Sequence, residues 1–135
     1  MGDRGAVKRT TITTKDAPAA IGAYSQAVVV EGGRILFASG QIALDPATGE
    51  MVGEDAASQA RQCLVNLRAV LAAAGMSMEH VVRATIYLSD MQDFATVNAV
   101  YGEFFASDTP ARAAVQAAGL PKGARVEIDA IAVAD

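Results

Sequence analysis

Residues 81–105 read "VVRATIYLSDMQDFATVNAVYGEFF", and the fold turns on where this stretch changes its period. From Val81 to Ser89 the β-branched content predicts a strand. Val82, Ala84, Ile86 and Leu88 should share one side, with Val81, Arg83, Thr85 and Tyr87 on the other. Ser89-Asp90-Met91-Gln92 fits a capping box. A helix then runs to about Ala106, with Phe94, Val97, Tyr101, Phe104 and Phe105 on one side.

Outward from this unit the pattern continues. Downstream come a strand from Ala111 to Gln116, the turn "LPKG" (120–123) and a last strand, "RVEIDAIAV" (125–133). Upstream, Ala60, Leu64, Leu67, Leu71 and Ala74 make one apolar stripe of a helix spanning 54–74, and Gly75 fits its C′ position. Earlier still, "TTIT" (10–13) is β-prone, and "AVVVE" (27–31), Gly32-Gly33 and "RILFAS" (34–39) read as a hairpin. The order is βββαβαββ. We expect an α+β fold, two helices on one face of a mixed six-stranded sheet. Residues 1–9 read as a flexible N-terminal extension and 10–135 as a single domain. The sheet face without helices is only partly polar, so a second copy of the chain is the simplest cover, and we expect a homo-oligomer.

The 135 residues are 52% hydrophobic and 19% charged, which suits a packed domain. A net charge of −4 disfavours a nucleic-acid partner. The single cysteine, Cys63, rules out an intrachain disulfide and suits a reducing compartment. No apolar run approaches a membrane span. A soluble, cytoplasmic protein is expected.

Motifs for phosphate loops, dinucleotides or paired cysteines are absent. The single histidine, His80, reads as a surface or capping residue, and Cys63 as buried and inert. Two residues remain. Arg112 shares a strand face with Ala114 and Gln116, and Glu127 shares one with Arg125 and Asp129. With the helices on the Val126 side, Arg112 and Glu127 are both candidates for the opposite face. Two readings stand: they pair with each other, or Arg112 awaits an anionic ligand whose carboxylate its planar fork matches. In the second, Glu127 holds or deprotonates a water.

The blocks "APAAIGAYSQAV" (17–28), "FASGQIALDPATGE" (37–50), "DFATVNAVYGEFF" (93–105), "TPARAAV" (109–115) and "LPKGARVEIDAIA" (120–132) resemble the RidA (YjgF) family, from about residue 12 to 133. That resemblance implies a chorismate-mutase-like fold and a homotrimer with sites between subunits. It also implies hydrolytic deamination of 2-enamine or 2-imino acids, such as 2-aminoacrylate, to 2-keto acids and ammonia, with no metal or cofactor. By motif it makes Arg112 the carboxylate anchor and Glu127 the residue that positions the water. Tyr24, Ser39, Gly40 and Ala114 would lie at the substrate. Asn98 matches a motif position but stays outside the catalytic set, as a residue that bonds locally between helix and loop.

Two positions depart from the family pattern. Ala114 stands where deaminase-type members commonly carry cysteine, so no thiol can act there. Ala23 stands where proline is usual, which frees the loop carrying Tyr24. The alternative is a non-enzymatic trimer that binds small carboxylates and regulates another protein. RNA cleavage is a third reading, opposed by the acidic balance.

Overall fold

A computed structural model describes residues 6–105 and 107–135. The strands are β1 (Lys8–Ile12), β2 (Ala27–Glu31), β3 (Arg34–Gln41), β4 (Val81–Leu88), β5 (Ala111–Gln116) and β6 (Val126–Ala134). The helices are α1 (Ala56–Ala73) and α2 (Phe94–Phe104). The order is the expected βββαβαββ, with two helices and six strands of mixed direction. β1 reaches back to Lys8, inside the segment read as an extension, and the Val7 amide before it donates to Asp135 Oδ1 at 2.6 Å; residues 1–5 of that reading lie outside the described residues. So does Ala106, the expected end of the second helix.

The six strands divide into a four-stranded sheet, β3-β6-β4-β5, and a two-stranded ribbon, β1-β2. β6 is antiparallel to both β3 and β4, while β4 and β5 run parallel. A parallel neighbour needs a crossover, and α2 is that crossover. The expected hairpin between β2 and β3 does not pair: β2 pairs with β1, and β3 with β6. Gly32 and Gly33 do turn the chain, at φ +81 and +82. A glycine pair specifies a change of direction, not which edge the next strand joins. At Gly33 any Cβ would also strike Val7 and the Ala134 carbonyl, so only glycine passes. The ribbon is tied down by Arg9, whose guanidinium donates to the carbonyls of Glu79 (2.7 Å), Val81 (3.0 Å) and Asp108 (2.5 Å).

Helix α1 has both ends capped. Asp55 accepts from the Ser58 amide at 2.6 Å, which holds its carboxyl below the usual range. Beyond Ala74, Gly75 adopts φ +74; its amide donates to Ala72 O and the Met76 amide to Leu71 O, both at 2.9 Å. That is a Schellman ending. Ala60, Cys63, Leu64, Leu67 and Leu71 are fully buried. Each buried leucine contributes about 1.5–3 kcal/mol. Opposite them lie Val126, Ile128 and Ala130, and the Cys63 thiol reaches Val126 O at 3.6 Å. The helices do cover the Val126 side.

Two local expectations change. The single turn Met91–Asp93 that leads into α2 is capped by Asp90, not Ser89: its carboxylate accepts from the Gln92 amide at 2.9 Å, one residue later than the capping box predicts. In β4 the register slips between Val81 and Arg83. Val81 therefore joins Ala84, Ile86 and Leu88 in the core, and Val82 is only half-buried. A bulge carries one extra residue and reverses the alternation upstream of it. On the side of β3 away from the helices, Ile35 and Phe37 are 60% and 74% exposed.

Candidate active site

Parallel pairing decides where Arg112 points. It stands in register with Ala84, whose side chain is fully buried beneath the helices. Arg112 therefore emerges on the helix-bearing side, at the β5 edge of the sheet, where α2 passes over it. Its Nη1 donates to Asn98 Oδ1 at 2.6 Å. Three rings surround the guanidinium: Tyr101 at 5.0 Å, Tyr24 at 5.1 Å and Phe94 at 5.6 Å from centroid to Cζ. Electron-rich faces at that range attract a cation. Burial lowers the arginine pKa from its usual value, and Tyr101 and Tyr24 act the other way. A guanidinium keeps its charge through such a shift.

The ion pairs among the described residues are Arg61–Glu103 and Arg125–Asp93; Arg112 is in neither. Its fork opens instead on a cavity of about 190 Å³, lined by Ile21, Gly22, Tyr24, Phe94, Asn98 and Arg112. That is about the liquid volume of six waters, the scale of a small organic acid. A larger opening of about 560 Å³ lies between β1 and the 13–26 loop, walled mostly by threonines and alanines with Lys15. It has no boxed cation, so chemistry rather than size locates the site. Tyr101 forms part of the box but is fully buried, and burial pushes its phenol far above the usual value. It serves as an apolar wall, not as an acid or base at neutral pH.

Glu127 lies on the other face. It is in register with Tyr87, out of phase with the buried Val126 and Ile128. Its carboxylate passes over Gly40, where an added Cβ would sit 2.8 Å from Glu127 Cδ and overlap the carboxylate oxygen. Gly40 and Ser39 fall in the irregular stretch where β3 slips against β6, between Ala38 and Gln41. Beside Glu127, Tyr87 Oη donates to Asp129 Oδ2 at 3.0 Å, and that carboxylate raises the tyrosine pKa.

The site residues read from sequence thus form two groups. Arg112 and Tyr24 stand together, with Ala114 on the same side in register with Ile86. Glu127, Gly40 and Ser39 stand on the opposite side. The expectation that Arg112 shares the uncovered face with Glu127 is corrected: in Ala-Arg-Ala-Ala-Val no contrast of polarity marks the inward side, and the register with β4 sets it. Asn98, left out of the sequence-derived set, is a direct partner of Arg112. A signal was available, since Phe94, Asn98 and Tyr101 recur at i, i+4 and i+7 on one helix face. His80 caps a turn, its Nδ1 accepting from the Ser77 amide at 3.0 Å. Burial pushes the Cys63 thiol up to about 12, so it is inert.

Two helices over one face of a mixed sheet, with a ring-boxed arginine at its edge that no acid pairs among the described residues, define a small α+β protein with a pocket opening on a cation. The family described as Endoribonuclease L-PSP matches residues 14–134, and the chain belongs to it, the RidA/YjgF family. Protein DfrA of Myxococcus xanthus is 58% identical over 93% of this chain and 95% of its own. The 2-iminobutanoate/2-iminopropanoate deaminase of Bos taurus is 54% identical over 93% and 90%. Among solved structures, E. coli TdcF with bound serine is 43% identical with a TM-score of 0.72, over 93% of this chain and 99% of that one. A Rid-family protein of Yersinia pestis, YyfB, of unknown function, is 30% identical with a TM-score of 0.85, over 93% and 98%. Among the described residues no helix is long and apolar enough to cross a membrane.

Proposed function

We propose that the protein hydrolyses small 2-imino acids to 2-keto acids and ammonia. The observation that carries this reading is the half-buried Arg112, boxed by three rings, with no acid paired to it among the described residues. The names of the deaminase relatives support it. Arg112 grips the substrate carboxylate with two parallel hydrogen bonds. Asn98 holds Nη1 and fixes the plane of the fork, and the Tyr24 and Phe94 rings confine a planar acid against it. Water adds to the imine carbon and gives up a proton to the Glu127 carboxylate. That proton passes to nitrogen to complete the carbinolamine; its hydroxyl proton then moves to the amino group as the C–N bond breaks, so ammonia leaves a ketone behind. The imine is already electrophilic, so orientation supplies most of the acceleration.

Within one chain Glu127 and Arg112 open on opposite faces of the sheet. A complete site therefore needs Arg112 from one copy and Glu127 from another, in a homotrimer with sites at its seams. The exposed Ile35 and Phe37, on the Glu127 side, support an interface there.

The test couples an amino-acid oxidase to keto-acid appearance. Arg112→Ala should lose roughly 10²–10³ in kcat/KM. Subunits carrying Arg112→Ala, co-assembled with subunits carrying Glu127→Ala, should recover about a quarter of the wild-type sites. Wild-type rates in Arg112→Ala would sink the anchor, and absence of rescue would sink the shared site. Ala114 favours a second reading, a carboxylate-binding regulator. Binding of 2-ketobutyrate without turnover would support it.

A further inference from the structure

We propose that Gln26 is a positioning residue: it clasps the 13–24 loop so that Gly22 and Tyr24 stay folded over the Arg112 fork. The inference rests on the reading of Arg112 as the carboxylate anchor and names what keeps that anchor shaped.

The side chains from Thr13 to Gly22 are all exposed, so apolar packing does not hold this segment. Ala23 brings no ring to fix its φ. Yet the segment forms one wall of the site. A Cβ built on Gly22 would lie 3.5 Å from Arg112 Nη2, and the Tyr24 ring stands 5.1 Å from Arg112 Cζ. The tip closes on itself, with the Ile21 amide donating to Tyr24 Oη at 3.3 Å and the Tyr24 amide to Gly22 O at 2.8 Å.

One half-buried side chain ties the base of the loop. Gln26 Oε1 accepts from the Thr14 amide at 2.7 Å. Its Nε2 faces three carbonyls, those of Thr14 (3.1 Å), Ala17 (3.3 Å) and Pro18 (2.7 Å). Both ends of the amide are engaged, which only a glutamine or asparagine head allows. Next to it, Ser25 pins the loop to the two residues that lead into β5, the strand of Arg112: its amide donates to Pro110 O at 3.0 Å and its Oγ to Thr109 O at 2.5 Å. Ser25 therefore sets where the loop attaches, and Gln26 sets whether the loop closes. Without the clasp the segment regains the conformational freedom that closure removes.

The test compares wild type, Gln26→Ala and Gln26→Glu. Phenylglyoxal modification of Arg112, resolved by peptide mass spectrometry, reports the cover over the fork without needing turnover. The exposed Arg61 is the internal reference. In both variants Arg112 should label about tenfold faster with Arg61 unchanged, and KM should rise about tenfold with kcat within about twofold, the scale of one net hydrogen bond. Gln26→Glu should be no better than alanine, because its carboxylate faces three carbonyls and cannot donate to them. Unchanged labelling of Arg112 overturns the proposal. So does general acceleration at every arginine, which marks lost folding, or a parallel fall in kcat with KM unmoved. A wild type without imine turnover refutes the proposed reaction instead, and the labelling ratio still decides the clasp.

Discussion

Replacing Asn98 by aspartate changes one atom and reverses the role of Arg112. Asn98 Oδ1 accepts from Arg112 Nη1 at 2.6 Å, so the substitution sets a carboxylate on the fork without moving the helix. Two opposite charges about 4 Å apart interact by about 4 kcal/mol at an effective dielectric of 20. Arg112 is only half-buried, and solvent screening reduces this to about 2 kcal/mol. The new carboxylate and the substrate then compete for one cation. KM, and the Kd for 2-ketobutyrate measured by calorimetry, should rise about thirtyfold. Folding stability should hold or increase, because a neutral hydrogen bond becomes a charge-assisted one. Asn98→Ala is the control. It removes the acceptor without adding charge, should cost about 1 kcal/mol of stability, and should raise KM only severalfold. Opposite signs in binding and stability are the signature of an internal decoy. If Asn98→Asp binds 2-ketobutyrate as tightly as wild type, Arg112 is not the carboxylate anchor.

Gly40→Ala should displace the Glu127 carboxylate, which passes where the methyl would sit. We expect kcat to fall at least tenfold while stability drops by only about 1 kcal/mol, as judged by rates and urea melts of the same preparation. Cys63 supplies a pH dependence. Its thiol is pushed up to about 12 from an ordinary 9.0, chiefly by burial. Above the unfolded value the unfolded chain loses a proton that the folded chain keeps. Stability is therefore full below about pH 9 and falls by about 1.4 kcal/mol per pH unit up to about pH 12. Cys63→Ala should flatten that slope in denaturant melts, and a slope unaltered by the substitution would remove the thiol as its cause.

Much of the fold is legible from local pattern. The stripe of α1, the Gly75 ending, the limits of β5 and the order of elements follow from period and capping chemistry, which act over a few residues. The cap at Asp90 and the slip in β4 escape that pattern for a related reason: each depends on one residue of phase, and neighbouring residues offer near-equivalent choices. The Gly32-Gly33 turn is legible, but the partner of the strand after it is not.

The candidate site divides in the same way. Its chemistry, an arginine without an obvious partner and a carboxylate on the following strand, can be read from residue types and from the family blocks. Its geometry cannot. Arg112 lies among alanines that look alike from either side of a strand, and its direction comes from the parallel register with Ala84, set by a strand some thirty residues earlier. Asn98 reaches it only because α2 crosses back over β5. Local chemistry is written in short spacings that a linear chain preserves. Facing, by contrast, is a property of pairs of distant strands, and a slip of one residue reverses it.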